Sequence, residues 1–181
     1  MNEQALKDRL KKISKDKKIT FNEAWRYLLL ERFLSRLSAS EFVDKLIFKG
    51  GLLLSYYLDL GRETKDIDFL LTKLKAEELN VKSVINRICN INSLDGFNFN
   101  LDKLEQTSHL HMFYNGFRAN IDVTFGNMNS KIQLDIAIGD KVNPKNEDLE
   151  LFKYDNIPLF ENNISLYVYP IETIIAEKLE T

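Results

Sequence analysis

Residues 48–71 read FKGGLLLSYYLDLGRETKDIDFLL. Gly50 and Gly51 follow the short apolar run Leu46-Ile47-Phe48 and precede a helical stretch, and Asp66 and Asp68 then flank Ile67 at the head of an apolar strand. In a strand, side chains two apart share a face. Ile67, Phe69 and Leu71 are therefore expected to point into a core, with both aspartates on the other side. Two ionised carboxylates ~6–7 Å apart repel each other, so the pair belongs either in open solvent, on an edge strand, or around a cation. A hard ion such as Mg²⁺ (or Mn²⁺) suits such a pair, because it takes one or two carboxylates and fills its shell with substrate phosphates. The glycines point the same way. Without side chains, they let backbone N–H groups and a helix N-terminus come close to an anion such as a triphosphate.

A third acid would complete a two-metal site. The stretch KIQLDIAIGD places Ile132, Leu134, Ile136 and Ile138 on one strand face and Asp135 on the other. Asp122, in NIDVTF, has the same apolar–acid–apolar setting and is the rival. Near the end, Ile171, Ile174 and Ile175 form a helical stripe that includes Lys178. An ammonium on that side must snorkel to water or meet an anion, whether phosphate or carboxylate. His109 and His111 lack a third ligand close by and read as surface residues. Tyr56, Tyr57, Phe97, Phe99, Phe113 and Phe117 read as core.

The chain has 181 residues, 44% hydrophobic and 29% charged, with a net charge of −2. That composition is ordinary for a globular domain and does not advertise nucleic-acid binding. No apolar run is long enough to span a membrane and the N-terminus lacks a signal-peptide core, so a cytoplasmic location is expected. Cys89 is the only cysteine, which rules out an internal disulfide and fits a reducing compartment. Lys7, Arg9, Lys11, Lys12, Lys15, Lys17 and Lys18 crowd the N-terminus and read as a solvated helix face.

Helices are expected over 3–16, after the capping box Thr20-Phe-Asn-Glu23, over 52–58, over about 75–89, and from Pro170 onward. Ser38 and Glu41 could open another short helix. Strands are expected at 46–48, 67–71, 97–101, 110–114, 121–125, 132–138 and 164–168, with Asn115-Gly116 as a hairpin turn. This order predicts an α+β fold with a mixed, mostly antiparallel sheet covered by helices. The chain ends at Glu180-Thr181 inside a helical pattern, which reads as a piece of a longer protein with an apolar patch left on the last helix.

The ordered series RFLSRLS, FKGGLLL, TKDIDFLL, LDIAIGDKVNP and YPIETIIAEKLE resembles the AbiEii/AbiGii-type toxins of bacterial abortive-infection and toxin–antitoxin systems, within the nucleotidyltransferase superfamily that includes DNA polymerase β. The resemblance implies a polymerase β-like fold, with residues 1–37 as N-terminal helices packing on a core of 38–181 and a C-terminal helical domain of the family absent. It implies that Gly50, Gly51 and Lys65 contact the nucleotide, that Asp66, Asp68 and Asp135 are catalytic metal ligands, and that Lys178 is the motif lysine. Gly51 stands where many members carry serine. The implied reaction is transfer of NMP from an NTP to a hydroxyl, with RNA, tRNA foremost, as acceptor and a cognate antitoxin as partner. Transfer to a small-molecule or protein hydroxyl, and a non-catalytic interaction module, are the alternatives. With the C-terminal domain absent, residues 1–181 alone are expected to show little transfer.

Overall fold

The computed structural model describes residues 1–58, 64–108, 115–139, 141–160 and 163–179. Helix α1 (Glu3–Lys17) starts where the Asn2 side chain accepts from the Ala5 N–H, and it buries Leu6, Leu10 and Ile13 against α2 (Phe21–Ser38). The expected capping box opens α2: Glu23 N–H donates to Thr20 Oγ1, and Thr20 N–H donates to Glu23 Oε2. From Leu28 to Leu37, α2 is buried on every side. Such a helix must pair whatever charge it carries. Arg36 forks onto Asp95 at 2.9 and 2.8 Å and also donates to the Phe97 carbonyl, while Arg32 donates to Glu31 at 2.7 Å. Glu31 in turn accepts from the Phe152 N–H. Burial raises the Glu31 proton affinity, and Arg32 beside it works against that.

The remaining elements are β1 (Leu46–Lys49), α3 (Gly50–Tyr57), β2 (Asp66–Leu71), α4 (Glu78–Cys89), β3 (Phe97–Ser108), β4 (Asn115–Phe125), β5 (Met128–Ile138), β6 (Lys145–Asp148), β7 (Lys153–Tyr154), β8 (Ile157–Pro158), β9 (Ser165–Val168) and α5 (Ile171–Leu179). Seven strands form one sheet in the order β3-β4-β5-β2-β1-β9-β6, and β7-β8 form a separate ribbon. The β2–β5 and β1–β9 pairs are parallel and the other pairs antiparallel, giving the mixed, mostly antiparallel α+β sheet that the sequence implied. Phe33 of α2 packs on Phe69 and Phe99, so this helix covers the apolar face of the central strands.

Several local expectations are corrected. Ser38 and Glu41 do not open a helix: α2 runs through Ser38, whose hydroxyl instead exchanges hydrogen bonds with the Ser165 backbone across the fold. Asn115-Gly116 is not a turn but the start of β4, paired with Ser108 and Thr107. The tight turn is Gly126-Asn127 between β4 and β5, with Gly126 at φ +56° and Glu3 of α1 accepting from the Asn127 N–H. Tyr57 is 40% exposed, its hydroxyl donating to Glu147, rather than buried in the core. The basic face of α1 is less free than a charge run suggests: Lys12 pairs with Asp155, and Arg9 and Lys12 lie over the Tyr154 ring of the ribbon. His109, His111 and Phe113 lie outside the described residues, as does the expected strand 110–114.

Candidate functional site

Strand register decides which side chains meet. On β2, Ile67 and Phe69 pair with Leu134 and Ile136 of β5 and are buried. Their neighbours therefore share the opposite face. Asp68 pairs directly with Asp135 of β5, Asp66 with Gln133, and Lys49 of β1 with Asp68. On the far side of β5, Arg118 of β4 pairs with Asp135. Lys49, Asp66, Asp68, Gln133, Asp135 and Arg118 thus form a polar patch across four adjacent strands.

The glycines close one end of it. Gly50, the first residue of α3, has φ +77°, and a Cβ there would lie 1.9 Å from Asp68 Oδ2. A side chain is excluded both by conformation and by the carboxylate occupying its space. The Gly51 backbone N–H hydrogen-bonds to Asp68, so the start of α3 already faces an anion. Gly51 differs from its neighbour. It has no unusual φ, and a Cβ would meet the Thr64 side chain only at 3.6 Å, an ordinary contact. The position has room for a serine side chain.

Three carboxylates crowd the patch. Burial, then the nearby Asp135 carboxylate, pushes the Asp68 carboxyl up to about 6. Burial and Asp135 also raise Asp66, against Arg118, Arg26 and Lys65. Arg118 forks onto Asp135 through Nε at 2.8 Å and a terminal nitrogen at 2.9 Å, and the Gln133 amide lies 3.3–3.4 Å from the same oxygens. Lys49 is shared. Its Nζ pairs with Glu177 of α5 at 2.9 Å and sits 4.4 Å from the centre of the Tyr169 ring, bringing the last helix to the edge of the patch.

The donor set is all carboxylate oxygen, which suits a hard divalent cation, and Asp66 with Asp68 offers the pair such an ion takes. Among the described residues, however, no three acidic, histidine or cysteine groups stand close enough to share one ion as they are now arranged. Of the three aspartates, Asp135 is the one onto which Arg118 forks.

The structure therefore brings Gly50, Gly51, Asp66, Asp68 and Asp135 together, with exposed Lys65 immediately before Asp66. The rival Asp122 lies on the same face of β4 but further along the strand, paired with Lys131 at 3.1 Å. Lys178 belongs to α5, but its side chain lies outside what is described. Sequence reasoning missed Arg118, Gln133 and Lys49. Each carried a faint signal: a basic or amide residue on the polar phase of an alternating strand, or, for Lys49, beside the glycines.

A glycine-opened helix thus lies against carboxylates carried on paired strands. The sequence matches the family described as nucleotidyl transferase AbiEii toxin, type IV TA system, over residues 32–181, and the chain belongs to that family. Among curated proteins, none matches the sequence. Among solved structures, the chain is similar to JHP933 from Helicobacter pylori, with 18% identity and a TM-score of 0.47 over 88% of this chain and 57% of that one. It is likewise similar to a candidate nucleotidyltransferase from H. pylori, with 17% identity and a TM-score of 0.47 over 89% of this chain. The chain spans 57% and 59% of the length of those two proteins. No helix among the described residues is long and apolar enough to cross a membrane.

Proposed function

We propose that this protein is the toxin of a type IV toxin–antitoxin system and transfers a nucleotidyl group from an NTP to a hydroxyl of RNA, tRNA foremost, with a cognate antitoxin as its biological partner. The observation that carries the reading is the Asp66–Asp68–Asp135 face lying against the glycine start of α3.

Asp66 and Asp68 would hold a divalent cation, Mg²⁺ or Mn²⁺, with Asp135 as the third donor. Such an ion, when bound, supplies positive charge to the phosphates and aligns them for in-line displacement. The chain's own residues do the rest. Gly50 leaves the backbone bare, so that Asp68 and the α3 N-terminus can approach the phosphates together. Lys65 and Lys178 would contribute cationic charge to the nucleotide. The acceptor hydroxyl attacks the α-phosphate, forming a new O–P bond as the bond to the β-phosphate oxygen breaks. Pyrophosphate leaves, and the hydroxyl proton passes to a carboxylate of the patch.

The test is incubation with α-labelled NTPs, Mg²⁺ and total RNA, and separately with protein. Label entering RNA, and lost with Asp66→Asn, supports the proposal. Label entering protein alone redirects the acceptor. Absence of metal-dependent NTP binding would leave a non-catalytic interaction module.

A further inference from the structure

Both oxygens of Asp135 are taken by a neighbouring side chain. The Arg118 fork covers them at 2.8 and 2.9 Å, one strand away from the Asp66–Asp68 pair. A planar guanidinium fits a carboxylate so well, and stays charged so reliably, that it can leave only by swinging away and not by losing a proton. The surroundings permit that swing. The Arg118 side chain is 41% exposed and that of Asp135 30%, whereas the equally well-formed Arg36–Asp95 fork is only 1–2% exposed. At the surface, water can replace each lost bond. In the core nothing can.

Two further charges act on the guanidinium. It lies within electrostatic reach of Asp66, a member of the proposed cation pair, and of Glu105 on β3. Displaced from Asp135, it would remain over the same polar face, where a nucleotide's phosphates would arrive under the proposed function. Arginine is well shaped to grip phosphate oxygens in pairs.

We propose that Arg118 is a displaceable stand-in for a divalent cation: it holds Asp135 while no cation is bound, yields it when one binds, and then turns its guanidinium to the phosphates of the nucleotide. This rests on the nucleotidyl-transfer reading and adds to it a positioning residue that changes partner.

The test follows the Arg118 Nε–H by ¹⁵N nuclear magnetic resonance, its signal assigned by its loss in Arg118→Gln, and measures Mn²⁺ and non-hydrolysable NTP binding calorimetrically. Thermal melting checks that the variants fold. Addition of Mg²⁺ should shift the Nε–H signal strongly. Arg118→Gln should bind Mn²⁺ roughly two- to fivefold more tightly, the release expected from an exposed ion pair. At saturating Mn²⁺ it should bind the NTP analogue about tenfold more weakly, for loss of a charge-assisted contact. Arg118→Lys, which keeps charge without the fork, should fall between the two. An Nε–H signal unmoved by saturating Mg²⁺, with Mn²⁺ and NTP bound normally, overturns the exchange and makes the pair a permanent brace. If the unmodified chain binds neither Mn²⁺ nor NTP, the transfer reading falls too.

Discussion

Two arginine–aspartate forks with nearly identical bond lengths lie in this molecule, and their surroundings give them opposite meanings. Arg36–Asp95 joins α2 to the start of β3 inside the core, with Arg32, Glu31 and two backbone carbonyls completing the network. Acids and bases there are matched one for one. Arg118–Asp135 lies on the polar face of the sheet, where Asp66, Asp68 and Asp135 crowd together and Arg118, Arg26, Lys65 and Lys49 act on them from several elements. The first network is electrically complete and rigidifies the fold. The second crowds like charges on a half-buried face, where burial and Asp135 push the Asp68 carboxyl up to about 6, a cost that a bound cation would relieve.

The comparison breaks most sharply on paired substitutions. Arg36→Met should lose about 3–5 kcal/mol of unfolding free energy, because it strands a buried Asp95 carboxylate. Arg118→Met removes the same fork at the surface and should change stability by less than about 1 kcal/mol. Chemical denaturation of the two variants side by side measures the difference. Equal losses would mean that the polar face is more sealed than its exposure indicates.

Gly50→Ala should come next, at about 2–3 kcal/mol. Part is the cost of placing a side chain at φ +77°, and the larger part is moving the Asp68 carboxylate from the space the methyl group would fill. Cation binding should weaken with it, since the displaced group is a ligand. A melt that drops while Mn²⁺ affinity holds would detach the glycine from the site.

Asp68→Asn should do the reverse and raise stability. Its carboxyl, held near 6 in the folded chain, binds its proton more tightly there than when unfolded. The favourable contribution of that proton is fully present below about pH 4 and is lost as pH rises through 6, so the ionised group is a burden above that window. At pH 7.5 without divalent cation, Asp68→Asn should therefore melt higher, by about 2–3 kcal/mol in stability, while losing nucleotidyl transfer. Below pH 4 the two chains should converge. Saturating Mg²⁺ should close the gap at pH 7.5 by stabilising only the unmodified chain.

What was legible beforehand follows from the range of each signal. A two-residue period places Asp66 and Asp68 on one face, and the Thr20–Glu23 box starts α2; both are read within one turn or strand. The choice of Asp135 over Asp122 depends on parallel pairing of β2 with β5, a contact between distant segments that no local pattern encodes. For the same reason Arg118 looked like any basic residue on an alternating strand. The errors were competitions between equal local signals. Asn115-Gly116 carries the stronger hairpin chemistry, yet β4 begins with it and the chain turns at Gly126-Asn127, because ladder pairing with Thr107 and Ser108 outweighs turn preference. Ser38 resembles a cap but lies within reach of the Ser165 backbone. The burial of Arg32 and Arg36 was unreadable without Asp95, which stands well beyond the helix that carries them.

The smallest effect expected is the most discriminating for the glycine pair. Gly51→Ser should leave stability unchanged within about 0.5 kcal/mol, since the site offers ordinary contact with Thr64 and demands no left-handed backbone. Helix propensity in the first turn of α3 should if anything improve slightly. The added hydroxyl would project beside the amide that holds Asp68, where a nucleotide phosphate is proposed to lie, and one further hydrogen bond is worth roughly 0.5–1.5 kcal/mol. NTP affinity measured by calorimetry with Mg²⁺ should therefore rise about two- to tenfold while the melting temperature stays put. If serine destabilised the chain as alanine at Gly50 does, both glycines would be turn residues. If it left NTP affinity untouched, the phosphates would bind away from the start of α3, and Gly50 would serve Asp68 alone.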